Sequence, residues 1–372
     1  MTRTADAIVI GGGLHGCSTA LHLALRGLTP VVIEKDYAGR HASGVNAGGV
    51  RQLARNLAEV PLAVASMELW DRIEDLVGDD CGFDSHGQVL VAESEEELAR
   101  LAARVDDLRL RGFTHEELID RAELKRLLPA VADYCPGGVV SRRDGAADPF
   151  RTTQAFRRQA IARGATVVEG VRVIGLVRRG ATWQVATDHG AYEAPVVVNA
   201  AGAWAARIAA MVGEAVPLEV IAPMLMITAR LPRFIDPVVI LRGRKLSFKQ
   251  LANGTVVIGG GHLAKPYPDE NATVLDWGKL ATSARTVWEL FPVMRETTIV
   301  RAWAGIEARM PDEIPVIGRS AVADGLFHQF GFSAHGFQLG PGVGSLMADL
   351  IVTGATNLPI EPFRVDRFAG RA

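Results

Sequence analysis

At 372 residues the chain is longer than one hydrophobic core usually organises, so two domains are expected. Hydrophobic residues make up 48%, charged ones 22%, and the net charge of −2 leaves no electrostatic footprint for nucleic acid or an anionic membrane surface. Three scattered cysteines, Cys17, Cys81 and Cys135, imply neither a disulfide framework nor a zinc cluster. No run of about 18 uncharged apolar residues occurs and no basic-then-apolar leader opens the chain, so an untargeted cytoplasmic protein in a reducing setting is expected.

The apolar run Ala7-Ile8-Val9-Ile10 predicts a buried strand, and Gly11, Gly13 and Gly16 follow it at G-x-G-x-x-G spacing with Leu14 and His15 between them. A helix is expected over residues 17–26. In a strand–turn–helix unit Gly11 permits the tight turn, Gly13 lets backbone approach a pyrophosphate, and Gly16 lets helix lie close on strand. A second strand over residues 30–33 ends in Glu34, placed to accept the hydroxyls of an unphosphorylated adenosine ribose. NAD or FAD would satisfy this pattern.

Residues 35–51 carry neither helical nor strand periodicity. The run contains Lys35, Ala42, Ser43, Asn46, Ala47, Gly48, Gly49 and Arg51. A small-residue loop here, instead of a crossover helix, leaves room for more than a nicotinamide and favours FAD.

One amphipathic helix is expected over 61–77, a strand over 88–91, a Ser94-capped helix to Arg111 with Glu97 at the capping-box position, and a short helix over 122–128. Asp148-Pro149 opens a helix to Arg163, and residues 166–173, including Val173, read as a strand. Hairpin-like strands over 181–186 and 191–199 stop at Ala200-Ala201-Gly202-Ala203-Trp204, a second strand-to-helix turn that would close the nucleotide site from the opposite side. Strands over 217–221, 225–228, 238–241, 246–250 and 255–259 come without intervening helices, which predicts an antiparallel sheet as the substrate domain. A helix over 276–290, a strand over 298–303, a strand over 326–330 and a helix over 340–352 complete the chain.

Five of these stretches together resemble the FAD-dependent D-amino-acid oxidase superfamily: the glycine turn with Glu34, residues 42–49, residues 197–204, the turn Pro311-Asp312-Glu313-Ile314-Pro315-Val316-Ile317-Gly318, and the loop Gly331-Phe332-Ser333-Ala334-His335-Gly336-Phe337-Gln338. The branches resembled are glycine oxidase, sarcosine oxidase and the flavin subunits of dye-linked opine, hydroxyproline and cyanide-forming glycine dehydrogenases. The resemblance implies an α/β fold: a Rossmann-type FAD-binding domain from residues 1–80, 145–215 and 320–372, and an α+β substrate domain on a mainly antiparallel sheet from 81–144 and 216–319.

The activity implied is hydride transfer from the carbon next to an amine to flavin N5, giving an imine that water hydrolyses. The amine pKa would fall on binding, with no dedicated protein base. A glycine-like, N-substituted glycine or D-amino-acid substrate is implied, with oxygen as acceptor giving peroxide, or alternatively an electron-accepting partner subunit. A non-catalytic flavin-binding protein and a NAD-dependent dehydrogenase are further alternatives, and oligomer formation is compatible with the sequence.

Where glycine oxidase grips the substrate carboxylate with an arginine, this chain has Glu307, which suits a substrate ammonium or an ion pair with Arg309 or Arg301. Where sarcosine oxidase has its flavin-attaching cysteine this chain has Gly305, and where it has a lysine this chain has Gln338, so FAD is expected to be non-covalent. Arg51, Arg242 and Arg309 are the candidate cations for a substrate carboxylate. His335 and Gln338 are expected on the flavin's pyrimidine side and Gly336 and Phe337 against the cofactor, with Glu307, His335 and Gln338 as the candidate catalytic groups.

Overall fold

The computed structural model describes residues 3–369. Its first sheet has six strands in the order Val316–Arg319, Leu326–Phe330, Val196–Asn199, Ala7–Ile10, Pro30–Ile33 and Thr166–Val168. All neighbours are parallel except the antiparallel edge pair of Val316–Arg319 with Leu326–Phe330. The alternation of the opening strand decides its two faces. Ala7 and Val9 pack on the helices Leu14–Leu25, Pro149–Ala162 and Gly340–Thr353, whereas Ile8 and Ile10 pack under a four-stranded sheet that contains Val173–Arg179, Thr182–Thr187 and Gly190–Ala194.

The second sheet has eight strands, in the order Ile299–Ala304, Met224–Thr228, Val256–Gly259, Leu246–Gln250, Val238–Leu241, Gln88–Ala92, Gly137–Ser141 and Glu117–Asp120. Its pairing is antiparallel except where Val238–Leu241 runs parallel to Gln88–Ala92. Helices Arg121–Leu127 and Trp277–Leu290 cover one face through Leu124, Leu280, Val287 and Leu290. From this sheet Gln88, Leu90 and Ile240 look into a large cavity shared with the first sheet's strand ends.

Several expected elements divide. The helix predicted over 61–77 is two, Val60–Trp70 and Ile73–Val77, because Arg72, just after the capping residue Asp71, leaves helical geometry (φ −122°, ψ 30°). The strand expected over 166–173 breaks at Gly170, whose φ of +71° turns the chain from Thr166–Val168 into Val173–Arg179. Pro195 separates Gly190–Ala194 from Val196–Asn199, and the two lie in different sheets. The strand Glu219–Ile221 leaves the large sheet and pairs with Glu307–Arg309. Strands Glu117–Asp120 and Gly137–Ser141 were not foreseen; two of the five residues of Gly137–Ser141 are glycines, which hide its apolar alternation. Residues 42–45 form one helical turn inside the predicted loop. No helix among the described residues is long and apolar enough to cross a membrane.

Candidate functional site

Glycines shape the first turn by what they leave out. A Cβ on Gly16 would land on the carbonyl oxygen of Gly11, and one on Gly13 would stand 2.9 Å from Ser43 Oγ. Gly11 itself has φ +111°, open to glycine at little strain. The Leu14 amide at the start of the helix donates to Ser43 Oγ at 2.9 Å, which ties the small-residue loop to the turn. Glu34 accepts from Gly12 N at 2.7 Å and Asp36 N at 2.9 Å, fixing the carboxylate at the end of its strand. Burial raises the Glu34 pKa against these two donors.

Beside it the Lys35 ammonium lies 4.0 Å from the Trp204 ring centroid and bonds Asn271 Oδ1 at 2.9 Å and Asp36. Trp204 therefore ties the second strand-to-helix turn to the end of strand Pro30–Ile33. Asn46 holds its own loop, with Nδ2 donating to Ala42 O and Gly48 N donating to Oδ1.

The opening turn meets the carboxy-terminal loop directly. His15 stacks on Phe332 with ring centroids 3.7 Å apart and planes 4° from parallel, and Gln329 Nε2 donates to His15 O at 3.2 Å. Burial drives the His15 pKa down to about 3, so its ring is neutral, and Nδ1 is left without a partner.

Glu34, Lys35, Ser43, Trp204, His15 and Phe332 line one cavity of about 920 Å³ that reaches to Leu90, Ile240 and Leu246 of the large sheet. Its volume lies at the top of the range for ligand pockets. Of the residues predicted to touch cofactor, Gly11, Gly13, Leu14, His15, Glu34, Lys35, Ala42, Ser43, Asn46, Ala47, Gly48, Gly49, Val173, Ala200, Ala201, Gly202, Trp204, Gly305, Gly336 and Phe337 line it. Gly16 does not; its place is the helix–strand contact. Gly305 has no room for a side chain, since a Cβ there would meet Val45 Cγ2 at 2.5 Å.

Gln338 is absent from the wall. Its side chain is fully buried behind the cavity, where Oε1 accepts from Arg55 Nη2 at 3.1 Å and Nε2 donates to Ala63 O at 2.8 Å. The amino end of helix Gly340–Thr353 is likewise closed by Ser66 Oγ, which accepts from Gly342 N.

The three arginine candidates have different fates. Arg51 lines the cavity and spends one donor on Leu53 O at 2.6 Å. Arg242 lies exposed at the mouth. Arg309 does not line the cavity: its guanidinium is bound to Glu219 at 2.6 Å across the short strand pair.

Glu307 and His335 do line it. The Ala334 amide donates to Glu307 Oε1 at 2.8 Å, and no ion pair joins Glu307 to Arg301 or Arg309 among the described residues. His335 has both ring nitrogens committed. Its Nε2 lies 3.0 Å from Glu313 O, a carbonyl that only accepts, so Nε2 carries the proton and Nδ1 faces Arg55 Nη1 at 3.1 Å.

Behind that ring is a charged network not foreseen from the sequence. Arg55 and Glu59 are 2% and 1% exposed, and Glu59 Oε1 lies 3.3 Å from His335 Nδ1 and 3.8 Å from Arg55 Nη1. Burial pushes Glu59 up in pKa, but His335, Arg55 and Arg51 outweigh it and leave it below its ordinary value. No periodicity marks these residues, because Arg51 and Arg55 lie in an irregular stretch before the short turn Leu57–Glu59. Lys249, also missed, is a buried lysine whose Nζ stands 3.1 Å from where a Gly48 Cβ would be, with its pKa lowered by burial to about 8.

No cluster of three or more metal-ligating side chains occurs among the described residues. The turn whose Cβ positions are closed off, the fixed Glu34 carboxylate and the long cavity fit a flavin dinucleotide, whose pyrophosphate the amino end of the first helix would hold.

Comparison with known proteins agrees. Mitochondrial sarcosine dehydrogenase of Mus musculus is 29% identical over 387 residues, covering 99% of this chain and 42% of that protein, so the chain spans less than half of that relative's length. Sarcosine oxidase subunit beta of Rhizobium meliloti (strain 1021) is 28% identical, covering 98% of this chain and 88% of the relative. The crystal structure of L-proline dehydrogenase from P. horikoshii matches with a TM-score of 0.92 at 30% identity, covering 99% and 98% of the two chains. The family model described as FAD dependent oxidoreductase (DAO) matches residues 6–350, and the chain belongs to that family.

Proposed function

We propose that the chain oxidises the C–N bond of a small amino acid, a glycine-like, N-substituted glycine or D-amino-acid substrate, to an imine that water hydrolyses. The observation that carries this reading is the continuity of one cavity from the glycine turn to the large sheet, with Arg51 and Glu307 both in its wall. Bound non-covalently, FAD supplies the electron sink that takes hydride from the substrate carbon at N5.

The chain's own residues do the rest. Gly11, Gly13 and the amino end of helix Leu14–Leu25 would hold the pyrophosphate, Glu34 the ribose, and residues 42–49 the ring end. Arg51, with donors left over from Leu53 O, is positioned to take a substrate carboxylate. Leu90, Ile240 and Leu246 exclude water around the reacting carbon.

The names of the relatives, sarcosine dehydrogenase, sarcosine oxidase and L-proline dehydrogenase, favour a secondary amine within this class. Anaerobic mixing with glycine, sarcosine, L-proline and D-alanine tests the reading, with bleaching of the flavin spectrum as the expected result. A flavin that none of them bleaches would leave a non-catalytic flavin protein. Peroxide formed on aerobic turnover marks an oxidase. A second reading, electron transfer to a partner subunit, is favoured by the two relatives named as dehydrogenases and the one named as a subunit, and bleaching without peroxide supports it.

A further inference from the structure

Among the described residues, three carboxylates line the cavity: Glu34, Glu307 and Glu313. Glu34 is fixed through both oxygens to backbone amides at the ribose end, and Glu313 is solvent-exposed. Glu307 differs from both. One oxygen is anchored by Ala334 N at 2.8 Å, and the other has no protein partner. The loop goes to some length to make that anchor: Ser333 and Ala334, neither of them glycine, hold φ of +53° and +66° in succession. Left-handed backbone at non-glycine residues is strained, and here it turns an amide N–H onto a carboxylate in the cavity wall.

On this geometry, and resting on the C–N oxidation proposed above, we infer that Glu307 takes the proton from the substrate's ammonium before hydride leaves the neighbouring carbon. The resemblance to the D-amino-acid oxidase superfamily implied no dedicated base, so this is a departure from it. In the step, one N–H bond breaks and an O–H bond forms on Glu307 Oε2, with no electrons changing hands. The amine then keeps its lone pair to stabilise the carbon that loses hydride, and the proton passes from Oε2 to water as product leaves.

The surroundings match that task. Burial raises the Glu307 pKa to about 7 against the single Ala334 bond. No ion pair holds Glu307 among the described residues: Arg309 and Glu219 on the paired strands bind each other, and the His335 ring is committed to Glu313 O and Arg55. A carboxylate raised by burial towards the neutral range is suited to taking a proton and releasing it again.

The test is Glu307→Gln in the FAD-loaded protein, checked for an unchanged flavin spectrum and Tm, with Glu307→Asp as a second variant if Gln misfolds. Infrared difference titration between pH 5 and 9 is expected to show a carboxylic-acid band that fades through about pH 7 and is missing from the Gln variant. With the amine that best bleaches the wild-type flavin, the Gln variant is expected to bleach roughly 10²–10⁴-fold more slowly at pH 7. Its rate should then rise only towards the amine's own ionisation, well above pH 7.

An infrared band that survives the substitution, or an unmoved pH profile in a variant that still bleaches, overturns this inference alone. A wild-type flavin that none of glycine, sarcosine, L-proline or D-alanine bleaches overturns the C–N reading and the inference with it.

Discussion

Replacing Arg55 by methionine removes the centre of the network behind His335 while keeping most of the side-chain stem. The wild-type guanidinium donates to Arg51 O at 3.1 Å, His335 O at 2.6 Å and Gln338 Oε1 at 3.1 Å, and lies 3.8 Å from Glu59 Oε1. All of this is out of water. Arg55→Met therefore strands a buried carboxylate and several acceptors, a loss of about 3–5 kcal/mol. At about 2.1 cal/mol/K per residue, the 372-residue chain unfolds with an entropy of roughly 0.8 kcal/mol/K, so the loss reads as a fall in Tm of about 4–6 °C. The second arm of the cycle is Glu59→Gln. If Arg55 and Glu59 are coupled, the double variant should recover about 1–2 kcal/mol relative to the sum of the single ones, by calorimetry and urea unfolding of the FAD-loaded protein. A single-variant loss below about 1 kcal/mol, or strict additivity, would show that the network is merely tolerated and refute this reasoning.

Other sites give equally direct measurements. Gly16→Ala forces the first helix off the Gly11 carbonyl, so the protein should purify colourless and melt earlier. Glu34→Gln sets an amide donor against a backbone N–H, and FAD titration of the apoprotein should show a roughly 10–100-fold weaker Kd. His22 is buried with Nε2 unpartnered, and its pKa is lowered by burial to about 4 from 6.5. Because the folded value is the lower one, the stability is fully present above pH 6.5 and is lost as pH falls towards 4. At pH 5 the loss is about 2 kcal/mol. His22→Leu should flatten the stability profile between pH 6.5 and 5, and an unchanged slope in urea melts would show that His22 already titrates normally in the fold.

Local chemistry wrote much of this architecture into the chain. Strands Pro30–Ile33, Val238–Leu241, Leu246–Gln250 and Leu326–Phe330 have the bounds their apolar runs and flanking turn residues imply, because each is decided by near neighbours. Asp148 and Ser94 cap their helices as their positions suggest, accepting from Arg151 N at 2.8 Å and Glu97 N at 3.2 Å.

What escaped was decided by distant partners. The withdrawal of Gln338 from the cavity depends on Arg55 and Ala63. Arg309 looked available until Glu219, 90 residues earlier, was brought alongside it. Periodicity reads one element at a time, and ion pairs between elements leave no mark in it.

The lone parallel pair of the large sheet has a bearing on how the molecule is made. Val238 sits beside Gln88, so the middle of that sheet joins stretches about 150 residues apart. At about 5–20 residues per second, a ribosome needs roughly 8–30 s to deliver the second after the first. Throughout that interval Gly137–Ser141 can cover one edge of Gln88–Ala92, but the edge that takes Val238–Leu241 has no strand to meet. The nascent polypeptide thus carries one sticky, open strand edge while the intervening segment is still being synthesised, and chaperone capture at that stage is the natural safeguard for its yield.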